Sequence, residues 1–183
     1  MMPETRGSQM TPTLRRTLLT FAGLAMGAGA ALAQPAAGSS LLGTFDAWET
    51  YKGSDDGRGS VCYVVSQPQV KEPATAKRNP IYFLITSWPS QKVANEPSII
   101  IGYPFKERSE ATVQVGSDKF QFFTKDDGAW LASRDDEGKL IAALRAASEM
   151  TVKGVSRRGT LTTDTYSLKG ISPALDKAAE GCK

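Results

Sequence analysis

The chain has 183 residues with 22 basic and 19 acidic side chains, and it contains no histidine. This length suits one domain after any leader is removed. The lack of histidine excludes Ser-His and Cys-His nucleophile pairs, together with the commonest general base and metal ligand. The nearly balanced charge argues against strong attraction to nucleic acid or to anionic lipid. A nucleic-acid partner is therefore not expected.

The beginning of the chain has the pattern of an export signal. Arg15 and Arg16 precede an uncharged stretch rich in Leu, Ala and Gly, which ends in Ala31-Leu32-Ala33. Small residues at positions 31 and 33 match the requirement of signal peptidase. The apolar run is shorter than the roughly 20 residues that a membrane-spanning helix needs. We therefore predict a cleavable signal peptide over residues 1–33.

The mature product is expected in the periplasm or outside the cell, with association with the outer membrane as an alternative, and without stable membrane insertion. The general secretory route is favoured, because the residues after Arg15 and Arg16 match a twin-arginine signal only loosely. Translation starts at Met1 or at Met10. Cleavage after Ala33 leaves 150 residues with 19 basic and 18 acidic side chains.

The chain has two cysteines, Cys62 and Cys182. Disulfides persist in exported proteins, and two cysteines allow one intramolecular pairing. We predict a Cys62–Cys182 disulfide; the alternatives are two free thiols or an intermolecular bridge. A lipoprotein is not expected, because no cysteine lies near the predicted cleavage site.

The remainder reads as a mainly β, single-domain, β-sandwich-like fold over residues 44–183. Residues 34–43 are small and polar, and we expect them to be disordered. β-Branched and aromatic segments separated by turn residues predict nine strands. The predicted strands are Thr44–Tyr51, Val61–Gln67, Ile81–Ser87, Ser98–Tyr103, Ala111–Val115, Lys119–Thr124, Ala129–Ala132, Met150–Val155 and Thr160–Leu168.

Two segments show helical spacing instead, one internal and one C-terminal. The internal helix is predicted over Asp135–Ser148, where acidic residues favour the N-terminus. The second helix is predicted to begin with Ser172 as N-cap and Pro173 at the first helical position. Its apolar stripe includes Cys182, so the predicted disulfide would join this helix to the strand of Cys62.

The chain offers no catalytic, cofactor-binding or metal-binding motif. It has no Ser-Lys dyad at the expected spacing, no G-x-S-x-G sequence and no phosphate-binding loop. The acidic pairs at Asp55-Asp56 and Asp126-Asp127 each precede a glycine and lack the alternating spacing of a calcium loop. They are interpreted as turn residues.

Three residues are candidates for binding a partner. Arg157 and Arg158 precede Gly159 in a predicted turn and present a forked contact for an anion, unless they form an ordinary solvated turn. Trp88 is either an exposed anchor for a partner or a loop residue folded onto the core. Lys106 and Arg108 form a second basic pair.

Several strings resemble the bacterial invasion-associated locus B family. They include Val61 to Pro68, Ile81 to Thr86, Ser98 to Lys106 with its I-G-Y-P-F-K sequence, Phe122 to Thr124, Asp164 to Gly170 within the string T-D-T-Y-S-L-K-G that begins at Thr163, and Ala174 to Cys182. The resemblance covers about residues 44–182. It implies an exported β-sandwich-like domain that is associated, in pathogenic members, with the bacterial surface and entry into host cells. It implies no catalytic residue.

The sequence is therefore interpreted as an exported, non-catalytic envelope or secreted protein that binds an envelope or host protein. One alternative is a glycan-binding module with Trp88 or Tyr103 as stacking platform. Another is a histidine-free, cell-wall glycosidase, which needs two carboxylates about 5–9.5 Å apart in a cleft.

Overall fold

Alternation of apolar and polar residues produces strands in about half of the described residues. The computed structural model describes residues 38–55 and 57–183, so the predicted signal peptide lies outside the described residues. The strands are β1 (Ser40–Phe45), β2 (Trp48–Asp55), β3 (Gly59–Ser66), β4 (Val70–Glu72), β5 (Tyr82–Trp88), β6 (Val93–Ile100), β7 (Glu110–Val115), β8 (Asp118–Lys125), β9 (Gly128–Trp130), β10 (Glu149–Val155) and β11 (Leu161–Ser167). The helices are α1 (Arg134–Ala146) and α2 (Ile171–Gly181).

The strands form one antiparallel sheet in the order β1-β2-β3-β5-β6-β9-β8-β7-β10-β11-β4. The predicted hairpin between β7 and β8 is present, with Val115 opposite Asp118 and Gly116 at a positive φ of 58° in the turn. Because the sheet does not close, β1 and β4 are its edge strands.

The sheet curves so that its two halves face each other across the core. The indole N–H of Trp48 on β2 donates to the carbonyl oxygen of Ser167 on β11 at 3.0 Å. The ring of Phe83 lies edge-on to both Trp48 and Tyr166, with ring centroids 6.2 and 6.0 Å apart. This arrangement confirms the predicted mainly β, β-sandwich-like fold with two helices.

Both helices lie where their apolar spacing predicts, and both bury one face. Leu140 and Leu144 of α1 are fully buried in the core. The predicted N-cap at Ser172 is wrong, because α2 begins at Ile171 after Gly170. Gly170 has a φ of 92°, and a side chain there would collide with the carbonyl oxygen of Phe45. Glycine therefore starts this helix for steric reasons.

The Cys62–Cys182 disulfide is confirmed, with the two Cα atoms 6.0 Å apart and a sequence separation of 120. It fastens the end of α2 to β3. Two hydrogen bonds add to it, since the Thr50 hydroxyl donates to Ala174 O at 3.1 Å and Lys52 Nζ donates to Gly181 O at 2.6 Å. Helix α2 is thus held against the inner face of β2 and β3.

The structure differs from the predicted elements near both sheet edges. The predicted strand Thr44–Tyr51 contains a turn, because Asp46 has a positive φ of 51°. Residues 40–43, expected to be disordered, form the first part of β1. Val70–Glu72, in a segment expected to be a loop, pairs with β11 as the short strand β4.

Candidate binding surfaces

Two glutamates face one shallow groove between β6 and α1. Glu96 and Glu137 line this groove of about 300 Å³ together with Lys92 and Arg134. Burial raises the pKa of Glu137, repulsion by Glu96 adds to the increase, and Arg134 opposes it. Within the part of the chain that the structure describes, no three His, Cys, Asp or Glu side chains group as metal ligands. Glu96 and Glu137 are the candidate pair for hydrolysis by two carboxylates.

The acidic pair Asp126-Asp127 occupies the β8–β9 turn, as predicted. Asp126 has a positive φ of 54°. The main-chain carbonyls of Asp126 and Asp127 accept hydrogen bonds from the N–H groups of Phe105 and Ile101. These aspartates therefore connect the turn to the segment that follows β6.

A buried ion pair links the loop before β5 to strand β11. The Arg78 guanidinium donates from both Nη atoms to the two carboxylate oxygens of Asp164, each at 2.6 Å. The side chains are 5% and 0% exposed. Arg78 also donates twice to Ile101 O. Asp164 lies at a core position of β11, and an acidic residue at such a position requires a partner.

Tyr103 belongs to the surroundings of this pair. Its ring lies 5.0 Å from the Arg78 guanidinium carbon, and its hydroxyl is 2.7 Å from that of Thr162. The fully buried hydroxyl of Tyr166 has no hydrogen-bond partner in the described chain. Since the guanidinium covers one face of its ring, Tyr103 is not an open platform for a sugar.

Three tyrosines make the fold sensitive to alkali. Burial raises the pKa of Tyr51 to about 12, and the Glu49 carboxylate that accepts its hydrogen bond adds to the increase. Burial also raises the pKa of Tyr103, and it raises the pKa of Tyr166 well above 10. In the unfolded chain these phenols ionise near pH 10.

Because the folded-state pKa values are raised, the protonated phenols favour the folded state. This contribution is complete below pH 10 and is lost as the pH rises through the folded-state values. We expect the free energy of unfolding to fall between about pH 10 and 12. Absorbance of tyrosinate should show Tyr103 and Tyr166 ionising with unfolding. Ionisation of every tyrosine near pH 10 in the folded protein would contradict this expectation.

Trp88 lies at the end of β5 beneath an arginine. The Arg58 guanidinium carbon is 5.1 Å from the Trp88 ring centroid, and the half-buried indole has no hydrogen-bond partner for its N–H in the described chain. The Ser90 hydroxyl donates to Arg58 O, which holds the β2–β3 turn against this corner.

Arg157 and Arg158 are exposed in the β10–β11 turn, where Gly159 has a φ of 86°. The Arg157 N–H donates to Pro104 O at 2.9 Å. Pro104 follows the end of β6, whereas Trp88 pairs with Val93 at its beginning. The structure therefore places Trp88 and the two arginines at opposite ends of the strands.

The two predicted basic pairs lie next to each other. Phe105 and Ser156 form an isolated β-bridge, which places the segment 104–109 beside the turn 156–160. The resulting basic surface consists of the exposed side chains of Lys106, Arg108, Arg157 and Arg158. Nothing in the sequence indicated that these pairs would meet.

One half of the sheet has an apolar outer surface, which we call the aromatic face. Its members point away from the core and alternate along their strands with core residues. They are Tyr63, Tyr82, Leu84, Ile100, Phe123 and Trp130. The outer surface of the other half is polar at its centre, with Thr112, Gln114, Thr151, Lys153, Thr163 and Thr165.

Phe123 and Trp130 form the most open part of the aromatic face. They are cross-strand partners on β8 and β9, with ring centroids 5.9 Å apart and planes 31° apart. Phe123 is 48% exposed. A side chain on Gly128 would collide with the Trp130 ring, so the indole lies over the bare backbone of Gly128. The Phe122-Phe123 dipeptide in an alternating strand was the available signal, because one of its rings must point outward.

Comparison with known proteins identifies a family. The model of the family described as "Invasion associated locus B (IalB) protein" matches residues 49–179. No curated protein and no solved structure matches the chain.

Proposed function

Since the chain belongs to the invasion-associated locus B family, we propose that it is an exported, non-catalytic protein that acts by binding another protein of the cell envelope or of a host. The family is not a known enzyme family. An intramolecular disulfide is typical of proteins in oxidising compartments, which supports export. No helix of the described residues has the length and apolar character to span a membrane.

The aromatic face is the observation that carries this proposal. An antiparallel sheet with one face in water normally carries polar residues on that face, as the other half of this sheet does. Exposed apolar residues gathered on one surface mark contact sites, and aromatic side chains are enriched in protein interfaces. Phe123 and Trp130 would form the centre of the contact. We place Trp88 at its margin.

The site is tested with a photoreactive phenylalanine analogue at position 123 in the full-length chain, expressed in the cells that naturally make it. We expect the exported chain to begin near Gln34 and to give one discrete adduct with an envelope or host protein. Against that partner, Phe123→Glu should weaken binding roughly 30-fold, the effect of a central interface residue. Phe123 is 48% exposed, so the fold should persist.

The matched control places the same analogue at Thr151, between Gln114 and Thr165 on the polar outer surface. It should give no adduct, and Thr151→Glu should bind the partner normally. Equal adducts from positions 123 and 151 would exclude the aromatic face as a specific site.

The alternative of a carboxylate hydrolase is favoured by one observation, the Glu96–Glu137 pair facing a groove. Cleavage of wall polysaccharide that is lost in folded Glu96→Gln and Glu137→Gln variants would replace the binding proposal with an enzymatic one.

A further inference from the structure

We propose that the basic surface, together with Leu161, docks the protein onto the phosphate headgroups of an anionic lipid membrane. This contact is separate from the aromatic face. The protein would thus bind two partners, an anionic membrane through the basic surface and another protein through the aromatic face. Its residues come from the segment 104–109, the turn 156–160 and the first position of β11.

Backbone hydrogen bonds fix the two segments side by side. The Lys106 N–H donates to Val155 O, and the Arg157 N–H donates to Pro104 O, both at 2.9 Å. These bonds continue the β-bridge between Phe105 and Ser156. The four cationic side chains therefore start from one connected piece of backbone.

Hydrogen bonds within each segment also order its backbone. The Ser109 N–H and hydroxyl both donate to Lys106 O, at 3.1 and 2.6 Å. In the turn, Gly159 N–H donates to Ser156 O at 2.8 Å, and the Thr160 N–H donates to the Ser156 hydroxyl at 3.1 Å. A contact surface with an ordered backbone loses less conformational entropy on binding.

The charges of this surface are not neutralised by ion pairs among the described residues. The side chains of Lys106, Arg108, Arg157 and Arg158 form no ion pair or hydrogen bond with another described residue. Glu107 is the acidic residue of the two segments, so together they carry a net charge of +3. This local excess of positive charge is not evident from the total charge of the chain, which is close to neutral. Unpaired guanidinium groups match phosphate oxygens in geometry and charge.

Leu161 favours a lipid surface over a soluble anion. It directly follows the turn, pairs with Val155 on the outer surface, and is 60% exposed. This is the largest exposed fraction among the large hydrophobic side chains of the described residues. A free phosphate or a sulfated chain gains nothing from an exposed leucine. A membrane interface accepts the leucine among the acyl chains while the cations stay at the headgroups.

The test uses processed protein purified from the periplasm and sedimentation with vesicles. We expect binding to vesicles of phosphatidylcholine with phosphatidylglycerol, and none to phosphatidylcholine alone. Each cation near an anionic surface contributes about a fivefold increase in affinity, so Arg157→Ala with Arg158→Ala should weaken binding about 25-fold. Leu161→Ser should weaken it several-fold while leaving its salt dependence unchanged.

The matched control is Lys92→Ala with Lys119→Ala, which removes two exposed cations elsewhere. It should bind anionic vesicles like the unmodified protein, and unchanged thermal unfolding checks that each variant is folded. Equal losses in the control and in the arginine variant would overturn the proposal, as would equal binding to neutral vesicles. Soluble glycerophosphate at matched ionic strength should not displace the protein; full displacement would assign the site to free phosphate. The crosslink from position 123 tests the aromatic face, and its outcome does not depend on whether the basic surface binds membranes.

Discussion

Asp164→Asn is expected to lower the free energy of unfolding by about 3–5 kcal/mol. The substitution keeps the shape of the side chain but leaves the Arg78 guanidinium without a counter-charge at a site where both side chains are almost completely buried. A buried, unpaired charge costs far more than the loss of an exposed pair. Urea denaturation followed by tryptophan fluorescence measures the change.

The exposed pair between Arg145 and Asp176 provides the control, since Asp176→Asn should cost at most about 1 kcal/mol. Replacing both members of the buried pair, with Arg78→Met and Asp164→Leu, should recover much of the stability that Asp164→Asn loses. If Asp164→Asn is no more destabilising than Asp176→Asn, the pair does not hold the loop before β5 in solution.

Cys182→Ala is expected to lower the free energy of unfolding by about 2–5 kcal/mol. The disulfide closes a span of 120 residues, and removing so long a constraint enlarges the unfolded ensemble. Cys62 is fully buried, so changing it would also create a cavity. For this reason the variant is made at the half-buried Cys182.

The wild-type protein in a reducing agent is the matched control and should unfold with the same midpoint as Cys182→Ala under identical conditions. Oxidised wild type should unfold at a clearly higher denaturant concentration. Coincident transitions of oxidised protein and Cys182→Ala would show that Thr50 and Lys52 suffice to hold α2.

Most strands could be predicted because alternation is a local property of the sequence. The exceptions had no local signal. Asp46 and Ala47 make a turn without glycine or proline, so the predicted strand looked continuous from Phe45 to Trp48. β4 is a three-residue edge strand whose residues are all exposed, so it has no alternation to detect.

Whether a pairing between distant residues could be predicted depended on how many alternative partners the sequence offers. The disulfide could be predicted because two cysteines allow one intramolecular bond. Arg78 and Asp164 are 86 residues apart, and the sequence offers 22 basic and 19 acidic residues as possible partners. Burial alone selects this pair.

The candidate surfaces were predicted only in fragments. Arg157-Arg158 and Lys106 with Arg108 were recognised as two pairs, but their proximity depends on the bridge between Phe105 and Ser156. Trp88 was grouped with the arginines because of its residue type, and only the register of β5 and β6 shows that it lies at the other end. The outward position of one ring follows from the Phe122-Phe123 dipeptide, but the pairing of Phe123 with Trp130 depends on the register of β8 and β9.

The hydrogen bond from Trp48 to Ser167 has a consequence for the order in which the protein can fold. It joins residues 119 apart, and the bond from Thr50 to Ala174 joins residues 124 apart. In a chain that emerges N-terminus first, from a ribosome or a membrane channel, the first hairpin appears long before the segments that cover it. Contacts between distant residues form slowly and leave apolar surface exposed in the meantime. The inner face of β2 therefore stays uncovered until almost the last residue has emerged, and a chain that crossed a membrane channel would leave it before its core was complete.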